Sequence, residues 1–431
     1  MGRRAAGGVS GLGLRRLFVF SPLPPQPNGL ADYLLAYLPA LAADFDLTLV
    51  AEMDHVAAAQ AALPGHHVID EMAFLAQPPQ ASDQVLYNLG NNTDCAYMLD
   101  YTARFAGALL LHDPALLYLH QVADRRNWTE RLMGSRLAAE GHTVPAPFLS
   151  RDGRLTASPG LLYQECLLLR DLTRVMHGVL VHSHYAARRL AGALYPHPVP
   201  LLTQVPHFVQ PPAQPTPAAL HAALAPLGIA PTDLLLLVPG FLSGNKMLYE
   251  VLVAHHALVA THPQLKLVFA GQARPEEYDL AARIAALWPA GDGPQITGYL
   301  DADALDLLLA RADICCVLRH PTYGESSGLL PRAATSGAAV VTVDAGAYAE
   351  LDLPSLYRIP VGPLAATALA ETLATLLAEA GGTEARQARR TAALLSARTL
   401  TPAALYPRLR VWLDDCHAAQ QRAAQALGTP P

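Results

Sequence analysis

The chain has 431 residues, which is too long for one ordinary hydrophobic core and favours two domains. Hydrophobic residues make up 52% of it and charged residues only 15%, a composition that suits large buried parallel sheets. The net charge of −6 argues against a general electrostatic attraction to nucleic acid or to an anionic membrane.

The five cysteines and the first residues bear on where the protein is found. An odd cysteine count without a C-x-x-C pair argues against a disulfide framework, so we expect a cytoplasmic location. Residues 1–16 contain four arginines but no apolar segment of signal-peptide length, and we interpret them as a flexible N-terminal arm. No segment reaches the roughly 18 apolar residues of a membrane-spanning helix, which leaves only peripheral contact with the inner membrane face.

The first half of the chain alternates short apolar runs with helical patterns. The runs that predict strands are residues 17–20, 47–50, 67–69, 84–89, 107–111 and 178–182. Each run ends in a polar or glycine-containing turn, and a helical pattern over 30–43 follows the first one. Such alternation is typical of a Rossmann-like domain with a parallel sheet.

Two residues at strand ends of this domain are candidates for a ligand site. Gly29 closes the proline-rich loop after the first strand, where the lack of a side chain lets the backbone approach a ligand. A plain tight turn explains Gly29 equally well. His112 directly follows the strand at 107–111, and a lone histidine there is more often a structural hydrogen-bonding residue than a catalytic one.

The second half repeats the pattern after a proline-rich stretch. Residues 210–217 predict a stiff, extended linker, and we place the domain boundary there. Strand predictions follow at residues 233–238, 264–270, 295–297, 314–318 and 338–343, with a helix at 248–260. After residue 360 the chain predicts helices rich in alanine and leucine, which Pro402 and Pro407 are expected to break.

The most informative segment is 312–351, which predicts a strand, a polar loop, a helix and a strand in succession. The loop follows the carboxyl end of its strand, the place where ligands bind in open α/β sheets. Pro331 fits the first turn of a helix over 329–336, and Gly337 fits the position just after its end. The free N–H groups at the start of such a helix favour an anion such as a phosphate.

This segment, with the sequence LRHPTYGESSGLLPRAATSGAAVVTVDAGAYAEL, resembles the nucleotide-sugar motif of retaining glycosyltransferase family 4, the glycosyl transferases group 1. The resemblance implies the α/β GT-B fold, in which two Rossmann-like domains with parallel sheets face each other across a cleft. The family motif is a Glu, seven residues and a second Glu. Glu325 matches the first position, but the second falls on Ala333, or on Arg332 when counted back from Gly337. Half of the motif is therefore kept.

The resemblance also implies a division of the chain. The first domain would bind the acceptor, the second the nucleotide sugar, and a last helix would cross back to the first domain. The expected bounds are 1–16 for the arm, 17–209 for the N-terminal domain with an insertion at 127–169, 210–217 for the linker, 218–400 for the C-terminal domain and 401–431 for the crossing helix.

The family's functional positions fall on several residues of this chain. Lys246, six residues after Gly240, would neutralise the departing pyrophosphate, although a solvated surface lysine is the alternative. The sequence LLLHD resembles a strand end of the family, which would place His112 against the donor sugar, whose hydroxyl groups Glu325 would hold. These three residues, His112, Lys246 and Glu325, are the expected catalytic set. The expected donor-binding set is Gly29, Gly240, Lys246, Gly298, Tyr299, Arg319, Glu325, Ser326, Ser327 and Gly328.

Within the donor-binding set, the backbone N–H groups of 326–328 would bind a phosphate and the turn at 298–299 would lie against the base. The family often has an Arg directly after the first glycine, and here that position is Phe241. We expect Arg319, at the exit of the strand before Glu325, to replace the lost charge.

The resemblance implies transfer with retention of configuration, without a metal ion and without a cofactor beyond the nucleotide-sugar donor. No His, Cys or Asp cluster in the sequence has metal-ligand spacing. The acceptor would be a carbohydrate, a lipid or a small molecule, and nucleic acid is not an expected partner. Because Phe241 and Ala333 depart from the pattern, a weak or inactive nucleotide-sugar-binding scaffold is the alternative. A sugar-nucleotide epimerase of the same fold is a third possibility.

Overall fold

The computed structural model describes most of the chain. The described residues are 14–126, 151, 166–212, 215–275, 277–379 and 382–426. Most of the predicted N-terminal arm and most of the predicted insertion at 127–169 therefore lie outside the described residues.

Seven parallel strands form the first sheet, in the order β3-β2-β1-β4-β5-β6-β7. The strands are β1 (Arg16–Phe20), β2 (Asp46–Ala51), β3 (His67–Asp70), β4 (Gln84–Leu89), β5 (Ala108–Leu111), β6 (Gly178–Val181) and β7 (Leu201–Gln204). The first six coincide with the predicted runs to within about one residue at each end. The edge strand β7 was not predicted because it is short, flanked by prolines and partly exposed, so that it lacks a buried apolar run.

Helices connect these strands and cover both faces of the sheet. They are α1 (Gly29–Asp44), α2 (Val56–Ala62), α3 (Glu71–Ala76), α4 (Met98–Thr102), α5 (Leu117–Arg126), α6 (Arg170–Arg174) and α7 (His184–Leu194). Two of the helices that border the cleft have side-chain caps. Asn28 accepts a hydrogen bond from the backbone N–H of Leu30 in α1, and Ser183 accepts one from Ala186 in α7. Such caps satisfy N–H groups that have no partner inside the helix.

Six parallel strands form the second sheet, in the order β10-β9-β8-β11-β12-β13. The strands are β8 (Leu234–Pro239), β9 (Leu265–Ala270), β10 (Gln295–Ile296), β11 (Ile314–Val317), β12 (Ala339–Val343) and β13 (Leu356–Ile359). The edge strand β13 was not predicted, since it too is largely only half-buried.

The remaining helices surround the second sheet and end the chain. They are α8 (Pro217–Leu224), α9 (Leu248–Val259), α10 (Leu280–Leu287), α11 (Ala302–Arg311), α12 (Leu329–Ala334), α13 (Ala365–Glu379), α14 (Gly382–Ala397) and α15 (Pro402–Ala426). The expected break at Pro402 is confirmed, because α14 ends at Ala397 and α15 begins at Pro402, where the missing N–H costs nothing. The expected break at Pro407 is wrong, because α15 continues through it.

The last helix packs on the first sheet. The buried residues Leu405, Leu409, Trp412, Leu413 and Cys416 of α15 share one hydrophobic cluster with residues of β1, β2 and α1. The side-chain amide of Gln84 donates a hydrogen bond to the carbonyl oxygen of Leu413 over 2.6 Å. Where the chain passes between the sheets, the N–H of Val209 donates to the carbonyl oxygen of Leu400 over 2.7 Å. Among the described helices, none has the length and apolar character needed to cross a membrane.

The carboxyl ends of both sets of strands face a common cleft, and loops from the two sides touch. A Cβ atom added at Gly324, in the β11–α12 loop, would lie 2.5 Å from Cγ of Pro114, which follows β5. The Glu350 carboxylate accepts hydrogen bonds from the backbone N–H groups of His184 and Tyr185 at the start of α7, over 2.7 and 2.6 Å. These contacts hold the two domains together around the cleft.

Candidate active site

The β11–α12 loop fixes the Glu325 carboxylate at the cleft. Its Oε2 accepts a hydrogen bond of 2.7 Å from the backbone N–H of Tyr323 and a longer one of 3.4 Å from the Thr322 hydroxyl. Nη1 of Arg319 lies 3.1 Å from Oε1. Because Glu325 is only 8% exposed, these partners hold a desolvated carboxylate in one orientation.

Lys246 is also buried, at the end of the short 3₁₀ turn Gly244–Lys246 after β8. Burial, together with the nearby Arg319, lowers the pKa of its ammonium to about 7, although the Glu325 charge opposes the shift. Gly240 has a φ of +91°, and a Cβ atom there would lie 3.4 Å from Nζ of Lys246. The alternative of a solvated surface lysine is therefore wrong, since the side chain is 8% exposed.

Two arginines line the cleft near Glu325. Arg319 contacts this carboxylate, and its pKa is raised by Tyr348 and Glu325 against the effect of burial. Phe241 occupies the position of the family's Arg, and its ring is exposed. The guanidinium of Arg274 lies over this ring, 5.3 Å from its centroid. Arg274 also pairs with Glu277 over 3.1 Å. Sequence reasoning missed Arg274, because nothing in the β9–α10 loop indicates that it reaches back over Phe241.

His112 lies inside a cluster of rings rather than alone at a strand end. Its Nε2 is 2.7 Å from Oδ1 of Asn88, and its Nδ1 is 3.1 Å from Nε2 of His182. The Tyr33 ring packs edge-on against it with centroids 4.7 Å apart, and His207 packs on Tyr33 and His182. Both ring nitrogens of His112 therefore have protein partners. A donor sugar could hydrogen-bond to His112 only if one of these two hydrogen bonds broke.

Asp113 is a further titratable group that sequence reasoning did not single out. Its Oδ2 accepts a hydrogen bond of 2.8 Å from the backbone N–H of Asn91. Burial raises the pKa of its carboxyl group to about 6, and the neighbouring Glu325 charge adds to the shift. Among the described residues, no group of three or more histidine, cysteine, aspartate or glutamate side chains is placed to hold a metal ion.

The residues between Glu325 and α12 surround the start of a short helix. The expected helix over 329–336 has only six residues, and the Ser327 hydroxyl already accepts a hydrogen bond of 3.2 Å from the N–H of Leu330. Ser326 and Ser327 line a cavity of about 270 Å³ on the side of α7. A Cβ atom added at Gly328 would lie 3.1 Å from the His207 ring, so the two domains meet closely at this glycine.

Two larger cavities occupy the cleft on either side of this loop. The first, of about 510 Å³, lies between α1, α11 and α12, and its walls include Gly29, Asp32, Tyr33, His207, Asp306, Gly328 and Arg332. The second, of about 590 Å³, is more polar, and its walls include Asn91, Asp113, Asn245, Arg274, Arg319 and Glu325. Gly298 and Tyr299 are not among the residues that line either cavity.

The two possible positions for the second Glu of the motif differ in their surroundings. Ala333 is fully buried in the core of the second domain. Arg332 lines the 510 Å³ cavity, where its Nε donates a hydrogen bond of 2.7 Å to Asp306 and its Nη2 donates one of 3.1 Å to the carbonyl oxygen of Ala302. Only the position counted back from Gly337 therefore faces the cleft.

Comparison with known proteins supports a glycosyltransferase-like second domain. Residues 223–393 match the family model described as glycosyl transferases group 1. No curated protein sequence matches the chain significantly.

Solved structures with the same architecture include several glycosyltransferases. Anabaena Alr3699/HepE in complex with UDP and glucose is 15% identical, with a TM-score of 0.60 over 96% of this chain and 100% of that one. WaaG, a glycosyltransferase involved in lipopolysaccharide biosynthesis, is 16% identical, with a TM-score of 0.56 over 91% and 98%. An α,α-trehalose-phosphate synthase (UDP-forming) from Burkholderia xenovorans is 13% identical, with a TM-score of 0.57 over 93% and 100%. At such identities the likeness shows the fold, and the expected GT-B architecture is confirmed.

Proposed function

We propose that this protein is a retaining glycosyltransferase that moves a sugar from a nucleoside-diphosphate donor to an acceptor without a metal ion. The observation that carries the proposal is the placement of the buried Lys246 and Glu325 on the loops that follow β8 and β11, close enough for the Glu325 charge to act on the pKa of Lys246. The match of residues 223–393 to the glycosyl transferases group 1 supports the same conclusion.

The chemistry of sugar transfer fits these two side chains. Negative charge grows on the leaving phosphate oxygen in the transition state, and a fixed positive group there lowers the barrier. Lys246 supplies that charge, and the arriving diphosphate holds it in the protonated form because an anion raises the pKa of a neighbouring ammonium. Glu325 accepts hydrogen bonds from the hydroxyl groups of the donor sugar. The departing phosphate oxygen then takes the proton of the acceptor on the same face of the sugar.

The first donor to examine is a UDP-sugar, because the Anabaena neighbour is complexed with UDP and, in another structure, with UDP-glucose. We assign a different part of the donor to each of the two cleft cavities. The 590 Å³ cavity, with Glu325 and Arg319, takes the sugar and the phosphates, and the 510 Å³ cavity takes the nucleoside. The acceptor is a carbohydrate, a lipid or a small molecule.

A thermal-shift panel of nucleoside diphosphates and their sugars tests the proposal, since a ligand that binds the folded state raises its apparent stability. We expect at least one nucleoside diphosphate to raise the melting temperature of the wild type but not of Lys246→Ala. Lys266→Ala, at the only other lysine in the chain, is the matched control and should behave like the wild type.

Turnover then separates a transferase from its alternatives. With the best donor and a panel of sugar acceptors, NMR should show a product of retained anomeric configuration, and a strong chelator should leave the rate unchanged. Binding without turnover would favour the scaffold, and conversion of the donor without an acceptor would favour an epimerase. Inverted configuration or a requirement for added metal would contradict the proposed chemistry.

A further inference from the structure

Two buried imidazole rings form a hydrogen-bonded chain at the N-terminal wall of the cleft. His112 is linked to Oδ1 of Asn88 over 2.7 Å, His112 to His182 over 3.1 Å, and Nδ1 of His182 to the carbonyl oxygen of Val205 over 3.0 Å. We call His112 and His182 with these two end groups the histidine chain. It crosses from the end of β4 through β5 and β6 to the loop after β7.

The protons of the histidine chain can be counted. Both ends are oxygen acceptors, so the three links need three N–H groups, whereas two neutral imidazoles carry only two. The Asn88 amide cannot turn round to supply a donor. Its Nδ2 donates to the carbonyl oxygen of Leu30 over 3.1 Å and to the hydroxyl of Ser21 over 2.9 Å, and a rotated amide would place two carbonyl oxygens together. A neutral chain therefore leaves one link without a proton.

We propose that the histidine chain takes up one proton when an anion binds in the cleft, so that His112 and His182 then share one imidazolium. With this third proton all three links are made. Because both ring nitrogens of His112 are occupied within the protein, the pair acts on the ligand through its charge. His182 is then a positioning residue that keeps the charge beside the site. The inference rests on the proposed function, because it takes the bound anion to be a nucleoside diphosphate.

The surroundings explain why the ligand must supply the compensating charge. Burial lowers the pKa of His182 to about 3 and that of His207 to about 4, and it lowers the pKa of His112 well below its usual value. The rings of Tyr33 on α1 and His207 beyond β7 pack on the pair, and Glu350, Asp352 and Arg408 line the 270 Å³ cavity that His182 also lines. The nearby Asp113 carboxylate accepts a backbone hydrogen bond from Asn91 instead of one from an imidazole.

The sign of the linkage follows from this placement. An anion in the cleft raises the pKa of the pair, so binding takes up a proton at any pH between the free and the bound pKa values. The affinity for the anion is greatest below the bound pKa and falls as the pH rises through it. The part of this fall due to the histidine chain approaches tenfold per pH unit, the limit for one proton, and the Lys246 ammonium adds its own.

Isothermal titration calorimetry with UDP and with inorganic pyrophosphate measures the proton directly. Each titration is repeated at pH 6.5 to 8 in two buffers of different ionisation enthalpy, because the difference in heat gives the number of protons exchanged. We compare wild type with His182→Phe. Its single remaining imidazole, His112, has one N–H for the hydrogen bond to Asn88, so no hydrogen bond in this variant lacks a proton. His177→Asn is the control: its pKa is also lowered by burial, but it precedes β6, at the end of the sheet away from the cleft.

We expect the wild type and His177→Asn to take up as much as one proton more than His182→Phe for either ligand. Subtracting the variant removes protons taken up by the phosphates themselves. Equal uptake in wild type and His182→Phe would overturn the inference while leaving the proposed function intact. Failure of both ligands and of the whole nucleotide panel to bind would overturn both.

A second measurement does not depend on a folded variant. In ¹⁵N spectra of the histidine side chains of the wild type, addition of UDP at pH 7 should create one signal set from a doubly protonated ring that is absent from the free protein. Spectra in which every ring of the complex stays neutral would also overturn the inference.

Discussion

The two walls of the cleft differ in the kind of side chain they present. At the C-terminal wall, Arg319, Glu325 and Arg274 line the more polar cavity, and the buried Lys246, which does not line it, lies close enough to Arg319 and Glu325 for their charges to act on its pKa. The N-terminal wall carries rings, those of Tyr33, His112, His182 and His207, which burial keeps neutral. The comparison teaches that the charged side chains are concentrated in the domain that matches a known family, whereas the facing domain presents mainly buried rings, together with Asp113. In our proposal the bound anion keeps Lys246 protonated on one side and adds a proton to the histidine chain on the other.

The largest expected effect comes from removing the buried ammonium of the C-terminal wall. Lys246→Ala should lower kcat at least about a hundredfold, since losing one group that stabilises a developing oxyanion costs about 2.7–4 kcal/mol. Lys266→Ala should keep the wild-type rate, because Lys266 is exposed on β9. Steady-state kinetics with the best donor measures both, and near wild-type turnover of Lys246→Ala would reject its assignment.

A change at the carboxylate of the same wall should be almost as large but should spare nucleotide binding. Glu325→Gln keeps the side-chain shape and weakens its hydrogen bonds to the sugar, so kcat should fall about a hundredfold while the affinity for UDP changes less than about threefold. The exposed Glu371→Gln, on α13, is the control. Loss of UDP affinity equal to the loss of turnover would place Glu325 at the phosphates rather than at the sugar.

The third test compares the pH dependence of activity in variants of the two walls. Since burial lowers the Lys246 pKa to about 7, kcat/KM, which reports on the free enzyme, should fall about tenfold per pH unit above that value. kcat should stay level to higher pH, because the bound diphosphate raises the pKa. The fall in kcat/KM should persist in His182→Phe, whereas in Lys246→Ala only the part due to the histidine chain should remain. A level kcat/KM from pH 6 to 9 would mean that Lys246 keeps its charge without a ligand.

The smallest expected effect concerns the arginine that lies over Phe241. Arg274→Ala should weaken UDP binding about threefold, roughly 0.5–1 kcal/mol, because its guanidinium is nearly half exposed and solvent screens it. Arg283→Ala, an exposed arginine on α10, should change the affinity by less than a factor of two. A tenfold or greater loss at Arg274 would show that it substitutes fully for the arginine that the family has in place of Phe241.

The features that could be predicted from the sequence are those with a local signal in the chain. Buried strands such as β4 and β8 were predicted because their apolar runs are continuous, whereas β7 and β13 were missed because edge strands are short and half-exposed. Lys246 and Glu325 could be found because each keeps a fixed spacing from a glycine or a strand end. No such local signal marks the partnership of Asn88, His112 and His182, which lie 24 and 70 residues apart.

The titration of the buried groups could not be predicted at all from the sequence. The lowered pKa of Lys246 and the raised pKa of Asp113 depend on burial and on Arg319 and Glu325, which reach them from other loops. The sequence identifies the type of group, but its proton affinity is a property of the assembled cleft.

The return of α15 to the first sheet has a consequence for how the domains move. The chain passes between them twice, and the two crossings lie side by side, joined by the hydrogen bond from Val209 to Leu400. Two adjacent connections resist a twisting motion of the domains. They allow the domains to bend more easily, about an axis that passes through both connections. The first domain is also not a continuous stretch of chain. A fragment ending at residue 209 would lack Trp412 and its neighbours, and it would expose the apolar surface of β1 and α1 that they cover.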